Sequence, residues 1–268
     1  MSELVFVPIF VIAVIILVLI VYNSIVVIRK FKIETDKPVG RLRILLLSDV
    51  HNRAFAKGGA RIADKIKEQS PDIIVVAGDT VDRRRPNFER ARRFLRVLGE
   101  IADTYVVTGN HERALGIEKT VERTEPGNKL IDDDYRIYSG FSILGLSDTV
   151  GVGDMSHQRD LVSIFEKLDN FKIVAVHRPT QFSDHLSLKD FDIDLVLSGH
   201  THGGAIRIPF FGAVFSPDEG LFPRYSKGLY KENGSCLVVS AGLGNTVLPI
   251  RINNFPEIVV IDVENSKK

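Results

Sequence analysis

One cysteine, Cys236, is all that the 268-residue chain carries. Neither an intramolecular disulfide framework nor a cysteine-rich zinc site can be built from it. It lies in the run Cys236-Leu237-Val238-Val239, reads as a small buried hydrophobe, and fits a reducing compartment. Charge imbalance is equally scarce. Thirty-five Lys and Arg against 34 Asp and Glu leave a net charge of +1, which favours neither a nucleic-acid binder nor an acidic solubiliser. Internal repeats and low-complexity segments are missing as well, so nothing points to a repeat architecture.

A further absence is local. From Leu4 to Ile28 there is no charged residue, and Val, Ile and Leu dominate. At about 1.5 Å per residue such a helix extends over about 37 Å, longer than the roughly 30 Å hydrocarbon core. Pro8 falls in the first turns, where a missing N–H matters least. The start Met1-Ser2-Glu3 has no basic residue, and the run has no small-residue exit, so an uncleaved single-pass anchor is expected rather than a signal peptide. Arg29, Lys30 and Lys32 follow it, and the positive-inside rule then places the rest of the chain in the cytoplasm. The expected division is an anchor over 1–32, a linker over 33–40 and one folded domain over 41–268, with the lipid bilayer as partner of residues 4–28.

Within the domain, strand-like runs alternate with helical spacing. Arg41–Ser48 is a strand; Ile62, Ala63, Ile66 and Lys67 follow with 3–4 spacing. Asp72–Ala77 is apolar enough to be buried on both faces, and a second helix covers about Asn87 to Glu100 with Phe88, Ala91, Leu95 and Leu98 inward. Thr104–Val107 makes a third strand. Three βα units in a row predict a largely parallel α/β sheet. Beyond it come a helix near Gly116 to Arg123, short strands at 136–138 and 141–144, a helix near His157 to Leu168, and strands at 171–176 and 194–197. Runs at 205–208, 237–240 and 257–261 are expected to separate into a second sheet.

Polar clusters stand at five strand ends: Asp49/His51, Asp79/Asp82, Asn110/His111, His177, and His200/His202. Parallel strands collect ligand-binding residues at their carboxyl ends, so all five are expected at the edge of one sheet. His200 and His202 are two apart, which on extended chain turns both imidazoles to one side, while Gly203-Gly204 lets the backbone turn away. Mixed imidazole and carboxylate donors suit Mn, Fe or Zn better than Ca or a lone Mg.

Taken in order, Asp-x-His, Gly-Asp-x-x-Asp, Gly-Asn-His-Glu, a lone histidine after a strand, and Gly-His-x-His resemble the calcineurin-like metallophosphoesterases over roughly Leu42 to Val263. Gly199–Gly204, Gly242-Leu243-Gly244-Asn245, Leu248-Pro249-Ile250-Arg251 and the N-terminal anchor look like the family's membrane-associated bacterial branch. The resemblance implies a two-sheet β-sandwich flanked by helices, an α/β (α+β) fold. It implies two divalent cations, manganese first, with Fe, Zn, Mg or Co as alternatives. Asp49, His51, Asp79 and His202 would bind one, and Asp79, Asn110, His177 and His200 the other, with a water activated between them as nucleophile. His111 would protonate the leaving oxygen or stabilise the charged state, and Asp82 would orient His111. Arg83 matches a phosphate-contacting arginine of the serine/threonine phosphatase branch. Arg84 departs from the glycine that follows there, and Ala205 departs from a polar amide that relatives often carry.

The expected activity is hydrolysis of phosphoester or pyrophosphate bonds at the membrane, with a lipid-linked substrate favoured. A soluble-substrate phosphodiesterase, a nuclease or a metal-stabilised non-catalytic scaffold are the alternatives. Low net charge and the lack of interleaved aromatics argue against nucleic acid. Arg83, Arg84, Arg85, Arg90, Arg92, Arg93 and Arg96 form the densest basic run, read as a solvated helix face or as a contact for anionic headgroups and phosphates. The apolar tract through Ile206, Ile208, Phe210, Phe211, Phe215, Leu221 and Phe222 is expected as a packed hairpin, or as a hydrophobic wall for a lipid chain.

Overall fold

The computed structural model describes residues 2–55, 59–116, 127–148, 154–245 and 251–266. Helix α1, Ser2–Ser24, opens the chain; its window Val7–Ser24 has a mean hydropathy of 2.7 and no buried residue. It is long and apolar enough to cross a membrane.

The first sheet begins with β1 (Val27–Thr35), β2 (Arg41–Leu47), β3 (Ile73–Ala77), β4 (Asp103–Val107) and β5 (Asn128–Leu130). Helices α2 (Ala60–Lys67), α3 (Phe88–Gly99) and the short α4 (Asn110–Ala114) lie between its strands in sequence. The second sheet takes β6 (Asp134–Ile137), β7 (Phe141–Gly145), β8 (Phe171–Ala175) and β9 (Leu195–Ser198), with α5 (Ser156–Phe165) leading into β8. Two small hairpins follow, β10 (Arg207–Ile208) with β11 (Gly212–Ala213), and β12 (Phe215–Ser216) with β13 (Gly220–Leu221). β14 (Gly228–Glu232) and β15 (Ser235–Val239) complete the second sheet, and β16 (Glu257–Asn265) returns to the first.

Strand order is β1-β16-β2-β3-β4-β5 in one sheet and β14-β15-β9-β8-β7-β6 in the other. Side chains alternate along each strand, so one face of each sheet meets the other sheet and the opposite face meets helices. Ile44, Leu46, Val75 and Val107 pack between the sheets with Ile173, Leu197, Val238 and Val259. Leu45, Leu47, Ile74 and Val76 turn outward onto Ile62 and Ile66 of α2 and Phe94, Leu95 and Leu98 of α3. Val174, Val196 and Leu237 turn the other way, onto Val162 and Phe165 of α5. Cys236 is buried in the central layer. The result is the helix-flanked two-sheet sandwich that the motifs implied.

Three details differ from the sequence-based expectation. Residues 27–32 are not part of the anchor helix, which ends at Ser24, and 33–40 are not all linker: β1 pairs in parallel with β16 from Val27 opposite Glu257 to Thr35 opposite Asn265. Phe31 and Ile33 pack into the core while Lys30, Lys32 and Glu34 line the edge, the alternation of an edge strand guarded by charge. Second, β16 joins the first sheet, antiparallel to β2, and 207–208 forms its own hairpin, so of the three late runs only 237–239 enters the second sheet. Third, Phe94 rather than Phe88 points inward from α3; Asn87 caps this helix, its side chain accepting from the Arg90 N–H at 2.9 Å. The helix expected near 116–123 and the motif residues 248–250 fall outside the described residues, apart from Gly116.

Candidate metal centre

Each candidate side chain stands just past the end of a buried strand. β2 runs into Asp49 and His51, β3 into Asp79 and Asp82, and β4 into Asn110 and His111. β8 runs into His177 and β9 into His200 and His202, which belong to the second sheet. The expectation of a single sheet edge is therefore corrected: facing ends of two sheets share the site. Strands buried on both faces carry no pattern that says which sheet they join.

The backbone there is contorted. Asp49, His51, Asp79, His200 and His202 all have positive φ, between 46° and 69°. Such left-handed backbone costs a non-glycine residue about 1 kcal/mol or more. Cross-loop bonds hold it, with the N–H groups of Asp49 and His51 donating to the carbonyls of Gly78 and Asp79, each at 3.0 Å. Gly78 is at φ +81°, and a β-carbon on it would lie 2.5 Å from His177 Nδ1. One on Gly109 would collide with the Asp79 carboxylate. These glycines let the loops close on the ligand side chains.

The side chains gather in overlapping groups. Asp49, His51 and His202 form one, Asp79, His177 and His200 a second, and His51, Asp79 and His111 a third, with ligand atoms within 4.8 Å of one another in each. Asp79 Oδ2 lies 3.7 Å from His51 Nε2 and 3.4 Å from His177 Nε2, so a single carboxylate reaches both halves. His51 Nε2 and His202 Nε2 stand 3.1 Å apart, with Asp49 Oδ1 at 3.9 and 3.6 Å.

Surrounding bonds fix which nitrogen is free. His177 Nδ1 donates to the Ala77 carbonyl at 2.9 Å, leaving Nε2 with its lone pair. His200 Nε2 lies 3.0 Å from Asp218 Oδ2 and 3.2 Å from Arg178 Nη1; Arg178 already donates to Asp148 and Asp218, so the shorter contact to the carboxylate favours the hydrogen on Nε2 and leaves Nδ1 bare. That bare Nδ1 faces His177 Nε2 at 3.1 Å, and Asn110 Oδ1 also lies 3.1 Å from His177 Nε2. With His177 in its neutral form, three acceptors converge with no hydrogen to share, the donor set of a cation site, and a bound cation would take the place of the proton that His177 otherwise carries.

Electrostatics agree. Burial pushes His51 down to about 4 and His202 well below its usual value, and it lowers His200 despite Asp218; all three are neutral imidazoles, the ligand form. Burial raises Asp49 to about 6. Asp79 is buried too, yet His177, then His51 and His111, hold it well below the carboxylate range. Burial opposes charge on His177, but Asp79 and then Asp49 and Asp148 lift it to about 10. Two buried carboxylates therefore recruit whatever positive charge is in reach, and divalent cations fit these residues.

His111 stands beside the ligands, Nε2 at 3.9 Å from Asp79 Oδ2. Its Nδ1 accepts from the Arg83 backbone N–H at 3.1 Å, so the hydrogen is on Nε2. Asp82 Oδ1 is 3.6 Å from that Nδ1 and accepts from the Arg84 N–H at 2.9 Å. The Arg83 main chain, more than the Asp82 carboxylate, orients the imidazole. The Arg83 side chain itself is exposed.

Sequence reasoning missed the supporting residues. Glu112, fully buried, accepts from the N–H groups of Asp79, Val81 and Gly109 at 2.9, 2.8 and 3.0 Å. It sits inside Gly-Asn-His-Glu, but a carboxylate in a motif gives no sign that its partners are backbone. Asp218, in the turn between β12 and β13, pairs with His200 and with Arg178, which also bonds Asp148 at 3.0 Å. A turn aspartate carries no signal of that kind at all.

A family model for calcineurin-like phosphoesterases matches residues 42–204. The chain belongs to this family. Like other calcineurin-like phosphoesterases it is a hydrolase of phosphoester bonds that uses divalent metals. It is 30% identical over 211 residues to the metallophosphoesterase YkuE of Bacillus subtilis, which covers 75% of this chain and 71% of that one. It is 30% identical over 236 residues to the phosphodiesterase YaeI of Escherichia coli, covering 82% of each. Among solved structures, GAP50, the anchor in the inner membrane complex of Plasmodium, superposes with a TM-score of 0.50 at 13% identity. That match covers 76% of this chain and 72% of GAP50, a likeness of fold alone.

Proposed function

We propose that this calcineurin-like phosphoesterase is a binuclear enzyme held at a membrane, hydrolysing a phosphoester or pyrophosphate bond in a lipid-linked substrate. The shared reach of Asp79 Oδ2 to His51 and His177 carries the binuclear part. Asp49, His51, Asp79 and His202 would hold one cation and Asp79, Asn110, His177 and His200 the other. Mixed nitrogen and oxygen donors favour manganese, with iron, zinc, magnesium or cobalt as alternatives. Such a pair supplies Lewis-acid polarisation of a phosphoryl oxygen and lowers the pKa of water.

The chain's own groups do the rest. His111 presents Nε2–H beside Asp79, where it can donate to an oxygen that gains charge or leaves. Should His111 take up a second proton at Nδ1, Asp82 at 3.6 Å is the nearest carboxylate to balance it. A depression of about 420 Å³ lined by His51, Asp82, Arg85 and Arg90 opens at the edge of the site, and its two arginines suit the anionic part of a substrate. Arg83, exposed next to His111, is a further phosphate contact in this reading.

Location rests on α1, whose apolar window is unburied, with Arg29, Lys30 and Lys32 after it setting a cytoplasmic domain. The test is turnover by detergent-solubilised full chain with Mn²⁺ across soluble monoesters, diesters, and pyrophosphate- or phosphodiester-linked lipids. Cleavage of the lipids is expected. Good turnover of soluble esters with none on lipids would overturn the substrate assignment and leave the enzyme class standing.

A further inference from the structure

The two small hairpins beside the metal centre carry an exposed apolar surface that neither the fold nor the hydrolytic chemistry accounts for. Phe210 is fully exposed, and Phe211, Leu221 and Phe222 are 79%, 70% and 65% exposed, with Phe215 and Ile208 more than a third exposed beside them. The hairpins are nonetheless well seated: Ala213 and Ser216 are buried, and Gly204 packs directly on Ala213 and Phe215. Their large side chains therefore point away from the domain. No charged residue interrupts Ile208 to Phe215. An apolar patch of this kind on a soluble face marks an interaction site.

Its neighbours say what covers it. Ile206 bridges Ile252, and the Arg207 N–H donates to the Ile252 carbonyl at 3.0 Å. Three residues on, Phe255 stacks on Tyr22 near the end of α1, ring centroids 4.5 Å apart. The hairpins are thus tied through 252–255 to the base of the apolar helix. At their other end, the turn between β12 and β13 holds Asp218, which lies 3.0 Å from His200 Nε2.

We propose that the β10–β11 and β12–β13 hairpins insert Phe210, Phe211, Phe215, Leu221 and Phe222 into the interfacial region of the bilayer that α1 spans. This second point of attachment fixes the domain's tilt and holds the metal centre one hairpin away from the headgroups. The inference rests on the membrane reading of α1 given above. Aromatic rings at the headgroup level are the expected anchors of such a surface.

The chain contains no tryptophan, so one introduced residue is the sole indole emitter. Full-length Phe210→Trp, with Phe211→Trp as a second reporter, is reconstituted in phosphatidylcholine vesicles brominated near the glycerol end of the acyl chains. Ile15→Trp, at the middle of the apolar window of α1, reports the span in parallel vesicles brominated near the methyl end of the acyl chains, and Ile164→Trp, exposed on α5, reports water. Emission from Phe210→Trp or Phe211→Trp should be blue-shifted and at least twofold quenched relative to unbrominated vesicles, with Ile164→Trp unchanged. Quenching of Ile15→Trp alone would leave the anchor standing and overturn the hairpin insertion. A blue-shifted but unquenched Phe210→Trp would put the surface in a protein interface, and would overturn it too. If Ile15→Trp is also unquenched, the anchor reading fails and the inference with it.

Discussion

Glu112 offers the sharpest test of how the site is held. Its two carboxylate oxygens accept three backbone N–H groups, Asp79 and Gly109 on Oε2 and Val81 on Oε1. In Glu112→Ala all three donors are orphaned in a buried place, at about 1–3 kcal/mol each. The sum, about 3–9 kcal/mol, rivals the roughly 5–15 kcal/mol that keeps a domain folded. In Glu112→Gln the amide oxygen can keep Asp79 and Gly109, while the NH₂ meets the Val81 N–H donor to donor, a loss of about 1–3 kcal/mol. Denaturant unfolding at about pH 5, below the raised Glu112 value, followed by circular dichroism with chelator present so that bound metal does not mask the effect, should rank wild type above Gln above Ala. Titration adds a second signature. Burial, then Asp79, raises Glu112 to about 7 against 4.5 unfolded. Its favourable contribution is therefore complete below pH 4.5 and lost as pH rises through about 7. Metal-free wild type should lose its lead over Glu112→Gln across that window, by up to about 3 kcal/mol. If Ala costs no more than Gln, or if both cost under about 1 kcal/mol, the backbone clamp is not what Glu112 does.

His111→Ala should cut turnover about 10²- to 10⁴-fold with bound metal unchanged by elemental analysis; lost metal would make His111 a ligand instead. Asp82→Asn should cost less than about tenfold in turnover, because the Arg83 amide already holds Nδ1 and the general-acid contribution stays with His111. Asp218→Ala removes the carboxylate that sets the His200 tautomer, and metal affinity by competition with a chelator should fall about 10- to 100-fold. Stripping metal should lower the unfolding midpoint, since Asp49 and Asp79 lose their countercharge; restoring it to a hundredfold above its Kd should return about 2.7 kcal/mol. An unchanged midpoint would show that cations do not bind there.

The site was readable because its candidate ligands are side chains of distinctive chemistry following apolar strands in a fixed order. Asp49, His51, Asp79, Asn110, His177, His200 and His202 could all be named from sequence, and the structure brings them together. Sheet membership could not be read, because β8 and β9 are buried on both faces and look like β3. β1 was divided between the anchor (to residue 32) and the linker (from 33), since Arg29, Lys30 and Lys32 read as the basic flank of the apolar run; the Phe31-x-Ile33 alternation was the available clue. Glu112 and Asp218 act through backbone and through another side chain, relations that pair residues across folds of chain and leave no local pattern.

The placement of β16 has a consequence for how the enzyme is made. It lies between β1 and β2, and Arg29 reaches across 228 positions to Glu257. While the chain is being synthesised, β1 and β2 emerge early, beside a helix already apolar enough to enter the bilayer, with a strand-wide gap between them. Every later element can assemble before that gap is filled. Contacts this distant in sequence form slowly, and open strand edges invite wrong partners meanwhile. A ribosome stalled before Glu257 would leave a nascent chain tethered yet unsealed, with the Asp49 loop held on one side only. Closure of this sheet, and with it full support for the Asp49 loop, therefore waits until every element from β3 to β15 has been made.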